Sequence, residues 1–260
     1  MFDAMAAIMA QVNPMIGAAV LVFMRIGAFV ALLPGFGEQT IPMRLRLAAI
    51  LAFTLISWPL VAPNLPTDLP PFPALAVLML IELAIGALMG IAVRLLVMAL
   101  QIAGAIAAQT TAVSQMAGVA VTPEPMPAIG NALVLAGLAL ALAAGLPAQA
   151  VRAIAESYAV FPAGVLPVAG DVAQWGVARV ADAFALGLTL AAPFVIAAFG
   201  YNLALGFLNR AMPALMVAFV GAPAITAGAL LLLMLAAPLI LNVWHDRLSA
   251  TLEAPWALPQ

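Results

Sequence analysis

The sequence predicts an all-α, integral-membrane-class protein built of helical hairpins with broken or kinked helices, and three observations carry that expectation. Two thirds of the 260 residues are hydrophobic and 7% are charged, whereas a soluble domain is roughly a quarter charged. Six apolar runs of about the length that crosses a bilayer are separated by Pro, Gly or charge. Proline recurs inside those runs, where it removes a backbone hydrogen bond and strains the helix.

The runs lie at 14–33, 45–62, 74–108, 128–146, 177–199 and 214–243. No Lys or Arg precedes the first, whose basic residue is Arg25, so a cleaved signal peptide is not expected. The third continues past Arg94 and would be ~50 Å long at 1.5 Å per residue, too long for a simple span of a core ~30 Å thick. Pro193, Pro223 and Pro238 interrupt the fifth and sixth. In a six-span reading Arg44, Arg46 and Arg210 fall on one side and Arg152, Arg179 and Arg247 on the other. The loop charges therefore assign no orientation.

Between the fourth and fifth runs, Val151, Ile154, Tyr158 and Phe161 share a helical face from which Arg152 and Glu156 are absent. Such a helix could lie in the membrane interface or against another subunit, and the sequence leaves both open. Residues 244–260, "WHDRLSATLEAPWALPQ", read as a short polar tail leaving the apolar body.

Composition also excludes functions. Without cysteine there is no disulfide, thiolate metal site or iron–sulfur ligation. Lysine is absent as well, which removes Walker A and Schiff-base chemistry. A net charge of -2 without a basic run gives no surface for nucleic acid. His245 beside Asp246 has no nucleophile or further ligand near it in sequence, so catalysis, metal and cofactor are not expected.

Charges inside apolar runs are more informative, because each needs a partner or an aqueous path. Glu82, Gly86, Gly90 and Arg94 step by four along the third run and form one stripe. Its GxxxG centre admits another helix closely. The two charges, ~18 Å apart along the helix, are too distant to pair with each other, so each needs a partner elsewhere. An ion relay in a secondary transporter and an inter-helix lock that fixes assembly both fit. With no second carboxylate in a neighbouring run, the lock is favoured.

The stretch "QTTAVSQMAGVAVTPEPMP" (109–127) is polar, rich in small residues and longer than a turn needs. Gly118 and the prolines at 123, 125 and 127 oppose a continuous helix. A plain solvent-exposed connector is the simplest reading.

Three segments resemble the FliR proteins of the bacterial flagellar export apparatus and their counterparts in virulence type III secretion. "RIGAFVALLPGFGEQTIPMRLRLAAILAFTLISWPLVAP" places Arg25, Pro34, Phe36, Pro42, Arg44 and Arg46 in the family's order. A second region carries Glu82, Gly86, Gly90, Gln101, Gly104, Ser157, Tyr158, Pro162 and Gly164. "LGFLNRAMPALMVAFVGAPAITAGALLLL" supplies Gly206, Arg210, Pro213, Gly221 and Pro223. Ala105, Ala214 and Ala224 stand where the family usually has acidic, Gln and Lys side chains.

The resemblance implies one FliR-like domain over 1–260, a FliP-like unit joined to a FliQ-like unit, with helical regions 1–108 and 128–243. It implies a structural and channel subunit in the bacterial inner membrane at the flagellar basal body. Expected partners are several copies of FliP and FliQ homologues, FlhB and FlhA homologues, membrane lipid and unfolded substrate proteins. Much of the assembly would stand above the bilayer, and apolar surface would be covered by sister subunits. Gln109, Thr110, Thr111, Ser114, Gln115, Met116 and Gly118 would belong to a pore plug. Glu82, Gly86, Gly90 and Arg94, with the first-region and third-region residues, would serve assembly and packing. Flagellar export is preferred over the virulence counterpart, a transporter using Glu82 is the alternative, and an enzyme is the least favoured reading.

Overall fold

The structure, a computed structural model, describes residues 2–38, 41–65, 70–110, 128–211 and 217–258. These form seven α-helices: α1 (Phe2–Leu32), α2 (Met43–Val61), α3 (Phe72–Thr110), α4 (Ala128–Ala143), α5 (Leu146–Val160), α6 (Ala169–Ala211) and α7 (Val217–Glu253), with a short 3-10 turn at Ala62–Asn64. No strand occurs among the described residues. The third apolar run is one helix of 39 residues, about 58 Å at 1.5 Å each. Five helices are long and apolar enough to cross a membrane, or six if the bent pair α4 and α5 counts as one span.

The prolines lie inside helices that run on past them. Pro59 and Pro193 lie inside α2 and α6, and Pro223 and Pro238 inside α7, yet each helix is continuous in its hydrogen-bonded assignment. A proline forfeits one bond of a ladder that the flanking turns maintain, and in a long apolar helix the remaining bonds have no competitor. The real break is at glycine. Gly145 has φ +83°, a left-handed conformation that side chains with a Cβ rarely adopt. There α4 turns into α5 through 72°, with Pro147 in the first turn of the new helix.

The chain divides into two compact units that interleave in sequence: Met1–Arg94, Leu142–Arg179 and Leu248–Gln260 make the first, Leu95–Ala141 and Val180–Arg247 the second. In the first unit α2 packs on α1 and α5, and the core holds Leu21, Ile26, Phe29, Ile85 and Met89 with Tyr158. The amphipathic face of α5 is spent here: Ile154 and Tyr158 are buried while Arg152 and Glu156 stay exposed. That face covers its own unit, and the interface helix and the subunit contact both give way to an intrachain role.

Close helix approach through glycine organises the second unit. A Cβ on Gly104 of α3 would collide with the Gly130 backbone of α4, and one on Gly137 would come 2.7 Å from Leu100 Cδ1. Trp244 fills the space beside Gly137, fully buried, with its indole Nε1 donating to Leu96 O at 2.8 Å. This corrects the polar-tail reading of 244–260. Residues 244–253 continue α7, and Leu248, Thr251 and Leu252 are buried within the first unit. Asp246 and Glu253 stay exposed on this helix end, while the apolar letters at 244, 248 and 252 repeat at helical spacing.

Gly104→Leu should lower the thermal midpoint of the detergent-solubilised chain, because backbone cannot move aside as a flexible side chain can; a loss of about 1–3 kcal/mol or more is expected for such overpacking. Gly200→Ala, where an added Cβ meets nothing within 4 Å, should leave it unchanged or raise it slightly, since Gly in a helix is disfavoured by about 1 kcal/mol relative to Ala. Equal midpoints for the two variants would contradict this packing scheme.

Candidate functional site

The chemistry-bearing residues gather in the first unit around Arg25 of α1 and Glu82 of α3. Both are fully buried. Arg25 Nε donates to Glu82 Oε2 at 2.7 Å and Nη2 to Oε1 at 3.1 Å, a two-pronged guanidinium–carboxylate pair. The remaining donors are used by α5 and the turn after it: Nη1 reaches Ser157 Oγ at 3.0 Å and Nη2 the Phe161 carbonyl at 3.0 Å. The guanidinium carbon lies 3.7 Å from the Tyr158 ring centroid, so the cation is also stacked on an aromatic face. Glu82 accepts two further bonds, from Tyr158 Oη–H at 3.2 Å and from Gly164 N–H at 3.0 Å. Ser157 Oγ–H in turn donates to Ile154 O at 2.7 Å.

Backbone glycines make this convergence possible. A Cβ on Gly86 would run into the Arg25 carbonyl, and one on Gly90 would lie 2.6 Å from Leu32 Cβ. The GxxxG stripe of α3 therefore admits α1 of the same chain and sets Glu82 against Arg25. Gly164 has φ +79°, and a Cβ there would lie 2.5 Å from Leu78 Cδ2. Its peptide N–H can face Glu82 because no side chain intervenes.

A second contact ties Arg94 to the loop after α1. Arg94 Nη1 lies 3.3 Å from Glu38 Oε1, a half-exposed pair, and Arg46 Nη2 donates to the Glu38 carbonyl at 2.8 Å. Pro34 is buried in the turn that ends α1, and Phe36 packs edge-on against Phe53 with centroids 5.5 Å apart. Pro42 stands immediately before α2, and Arg44 is exposed on its first turn. Both charges of the stripe thus find intrachain partners, each on the α1–α2 side.

A third cluster clasps the carboxyl end. Arg179 of α6 donates through Nη1 to Thr251 Oγ1 at 3.1 Å, and Nη2 lies 2.8 Å from the Ala257 carbonyl and 3.1 Å from that of Pro255. Trp175 Nε1 also donates to Pro255 O, at 3.0 Å. These carbonyls follow the last residue of α7, Glu253, so the cation stands by the negative end of that helix's dipole. Arg179, counted as a loop charge in the sequence, is buried and casts no vote on orientation.

Of the other sequence-selected residues, Gln109 and Thr110 are the last two of α3; Gln109 is exposed, and Thr110 Oγ1 bonds back to Ile106 O at 2.9 Å. Thr111, Ser114, Gln115, Met116 and Gly118 lie outside the described residues, as does Pro213. Arg210 is exposed in the last turn of α6. Gly221 and Pro223 fall within α7, with their surroundings outside the described residues. The sequence reading missed Arg25 and Glu38 as the two partners. Arg25 carried a signal, since it too is a charge embedded in an apolar run.

The model of bacterial export proteins, family 1, matches residues 16–251. The chain is 35% identical over 236 residues to the flagellar biosynthetic protein FliR of Caulobacter vibrioides, spanning 90% of this chain and 94% of that protein. The chain belongs to the FliR family. Flagellar biosynthetic proteins FliR of Pectobacterium carotovorum and Aquifex aeolicus are 30% and 29% identical to it over 222 and 220 residues, covering 84% of this chain in both cases and 83% and 84% of theirs. The family match begins before Arg25 and ends after Arg247, so in this FliR-family chain it encloses the ion pair, its glycines and most of the α7 end.

Arg25→Ala or Glu82→Ala should each destabilise the purified chain by about 3–5 kcal/mol, the usual consequence of stranding one member of a buried pair. Replacing both by Leu should lose less than the two single losses added together. A thermal or denaturant titration of the three variants checks this, and strictly additive losses would show that the two side chains do not act as a pair.

Proposed function

We propose that this chain is a structural and channel subunit of a flagellar protein export gate, held in the bacterial inner membrane at the basal body and needed for translocation of unfolded flagellar proteins. The observation that carries the reading is the full-length FliR relationship, in which the relatives are named flagellar biosynthetic proteins. The closure of Glu82 supports it. A relay carboxylate must exchange protons or ions with water, yet Glu82 is fully buried and accepts four bonds from its own chain. It acts as a fastener of the subunit, which disfavours the transporter reading.

In this role the chain presents apolar helix surface to sister subunits and lipid. Leu188, Ile196, Phe199, Leu203 and Phe207 of α6 and Leu231, Met234 and Leu235 of α7 are all exposed in the isolated chain. FliP and FliQ homologues are the proposed neighbours in the gate, with FlhB and FlhA homologues as further partners. Segment 109–127, which starts with the last two residues of α3 and leads to α4, is the proposed pore plug: Thr, Ser and Gln among small residues line an aqueous path without gripping a passing polypeptide. No cofactor or catalytic step is required of it. The common flagellar name of the three relatives favours flagellar over virulence export.

Cells lacking the gene should make no filament, and the tagged chain should co-purify with small multi-helix membrane proteins. Deleting 110–121 should preserve that complex while increasing leakage of small solutes across the membrane. An intact seal in an assembled complex would remove the plug assignment and leave a plain connector. If the chain alone in liposomes moved a solute down an ion gradient, and Glu82→Gln abolished this, the gate assignment would fail.

A further inference from the structure

The first unit carries an apolar pocket that the ion pair and the clasp do not use. It holds about 260 Å³ and is walled by Phe161, Leu166, Val172, Trp175 and Trp256, with Asp171 at its edge. A second pocket of about 180 Å³ shares Val160 and Trp256 with it and is bordered by Glu156 and Glu253. Val160, Val165, Leu166 and Val168 are half to two-thirds exposed around the first pocket. The segment between α5 and α6 is non-helical. Among the described residues the Trp256 Nε1–H is buried without an acceptor.

The charged side chains that line this double pocket are all acidic. Among the described residues Glu38, Glu82 and Asp182 face arginines. Glu156, Asp171 and Glu253 are exposed and, among the described residues, take part in no ion pair. Arg152 sits one turn before Glu156 on α5 without pairing to it, and Arg179 is occupied by the carbonyls of the clasp. Lipid is a poor cover for this place, because non-helical backbone exposed to hydrocarbon leaves peptide groups without partners. Carboxylates that are exposed and unpaired are also unfavourable against acyl chains. An occupant that brings both apolar side chains and cations suits the apolar walls and the acidic rim at once.

We propose that the double pocket formed by α5, the 161–168 segment, the start of α6 and the carboxyl end is a docking site for a basic amphipathic segment of a partner protein. Its leucine-like or aromatic anchors fill the apolar pocket, and its arginines or lysines meet Glu156, Asp171 and Glu253. This site does not depend on the identity of the gate's other subunits.

A capped peptide of alternating arginine and leucine, titrated calorimetrically into the full chain in neutral detergent, tests it. Binding should weaken with added salt. It should fall about tenfold in the Glu156→Gln, Asp171→Asn, Glu253→Gln triple variant, because rim charges govern such encounters, and also in Leu166→Ser. These substitutions are at exposed positions, so the melting midpoint should not move. The same peptide with glutamate for arginine, or serine for leucine, should not bind. Equal binding of the acidic and basic peptides, or undiminished binding by the triple variant, would overturn the proposal. So would quenching of tryptophan emission by brominated zwitterionic phospholipid that disappears in Trp256→Phe, since the occupant would then be lipid.

Discussion

The first unit depends on one interaction, the two-pronged pairing of Arg25 with Glu82 in a place that water does not reach. Removing two charges from water is costly, and their attraction offsets that cost only if the geometry is good and the remaining donors and acceptors are satisfied. Here both conditions recruit other parts of the chain. α5 must deliver Ser157 and Tyr158, the turn after it must deliver the Phe161 carbonyl and the Gly164 N–H, and α3 must come within glycine distance of α1. An apolar core alone would tolerate sliding of its helices, whereas an ion pair with this many directional bonds admits one register.

Such specification matters in a chain so rich in apolar surface. With 67% hydrophobic residues, almost any helix pairing buries a similar area, and the hydrophobic effect discriminates weakly among alternatives. Inside lipid it discriminates less still, because acyl chains are as apolar as leucine. Directional polar contacts and glycine-to-backbone fits then select the native arrangement. The first unit uses the Arg25 network and the Arg179 clasp, and the second uses Gly104 against Gly130 and Trp244 against Gly137.

The helical class, the number of apolar runs and the overlong third helix were legible in the sequence because composition and run length state them directly. The stripe from Glu82 to Arg94 was legible too, along with the need of each charge for a partner. Which partners they find was not, since Arg25 lies 57 positions from Glu82 and Glu38 lies 56 from Arg94; spacing within a helix carries no information at that separation. Residues 244–260 misled because their polar letters were weighed and the spacing of Trp244, Leu248 and Leu252 was not.

The bonded network around Arg25 also explains where this chain has freedom to interact. The polar groups of α1, α3 and α5 that face inward are consumed, so they offer nothing to a partner. Glu156, Asp171 and Glu253 sit on the outer side of the same elements that build the network and the clasp. A segment docking there would press on α5 from the face opposite Tyr158 and on the carboxyl end held by Arg179. Since those are the elements that close over Arg25 and Glu82, binding outside and fastening inside share one scaffold. Pre-organisation by the buried pair is then what keeps the outer carboxylates spaced for a partner, because a loosened α5 would have to be ordered at the expense of affinity.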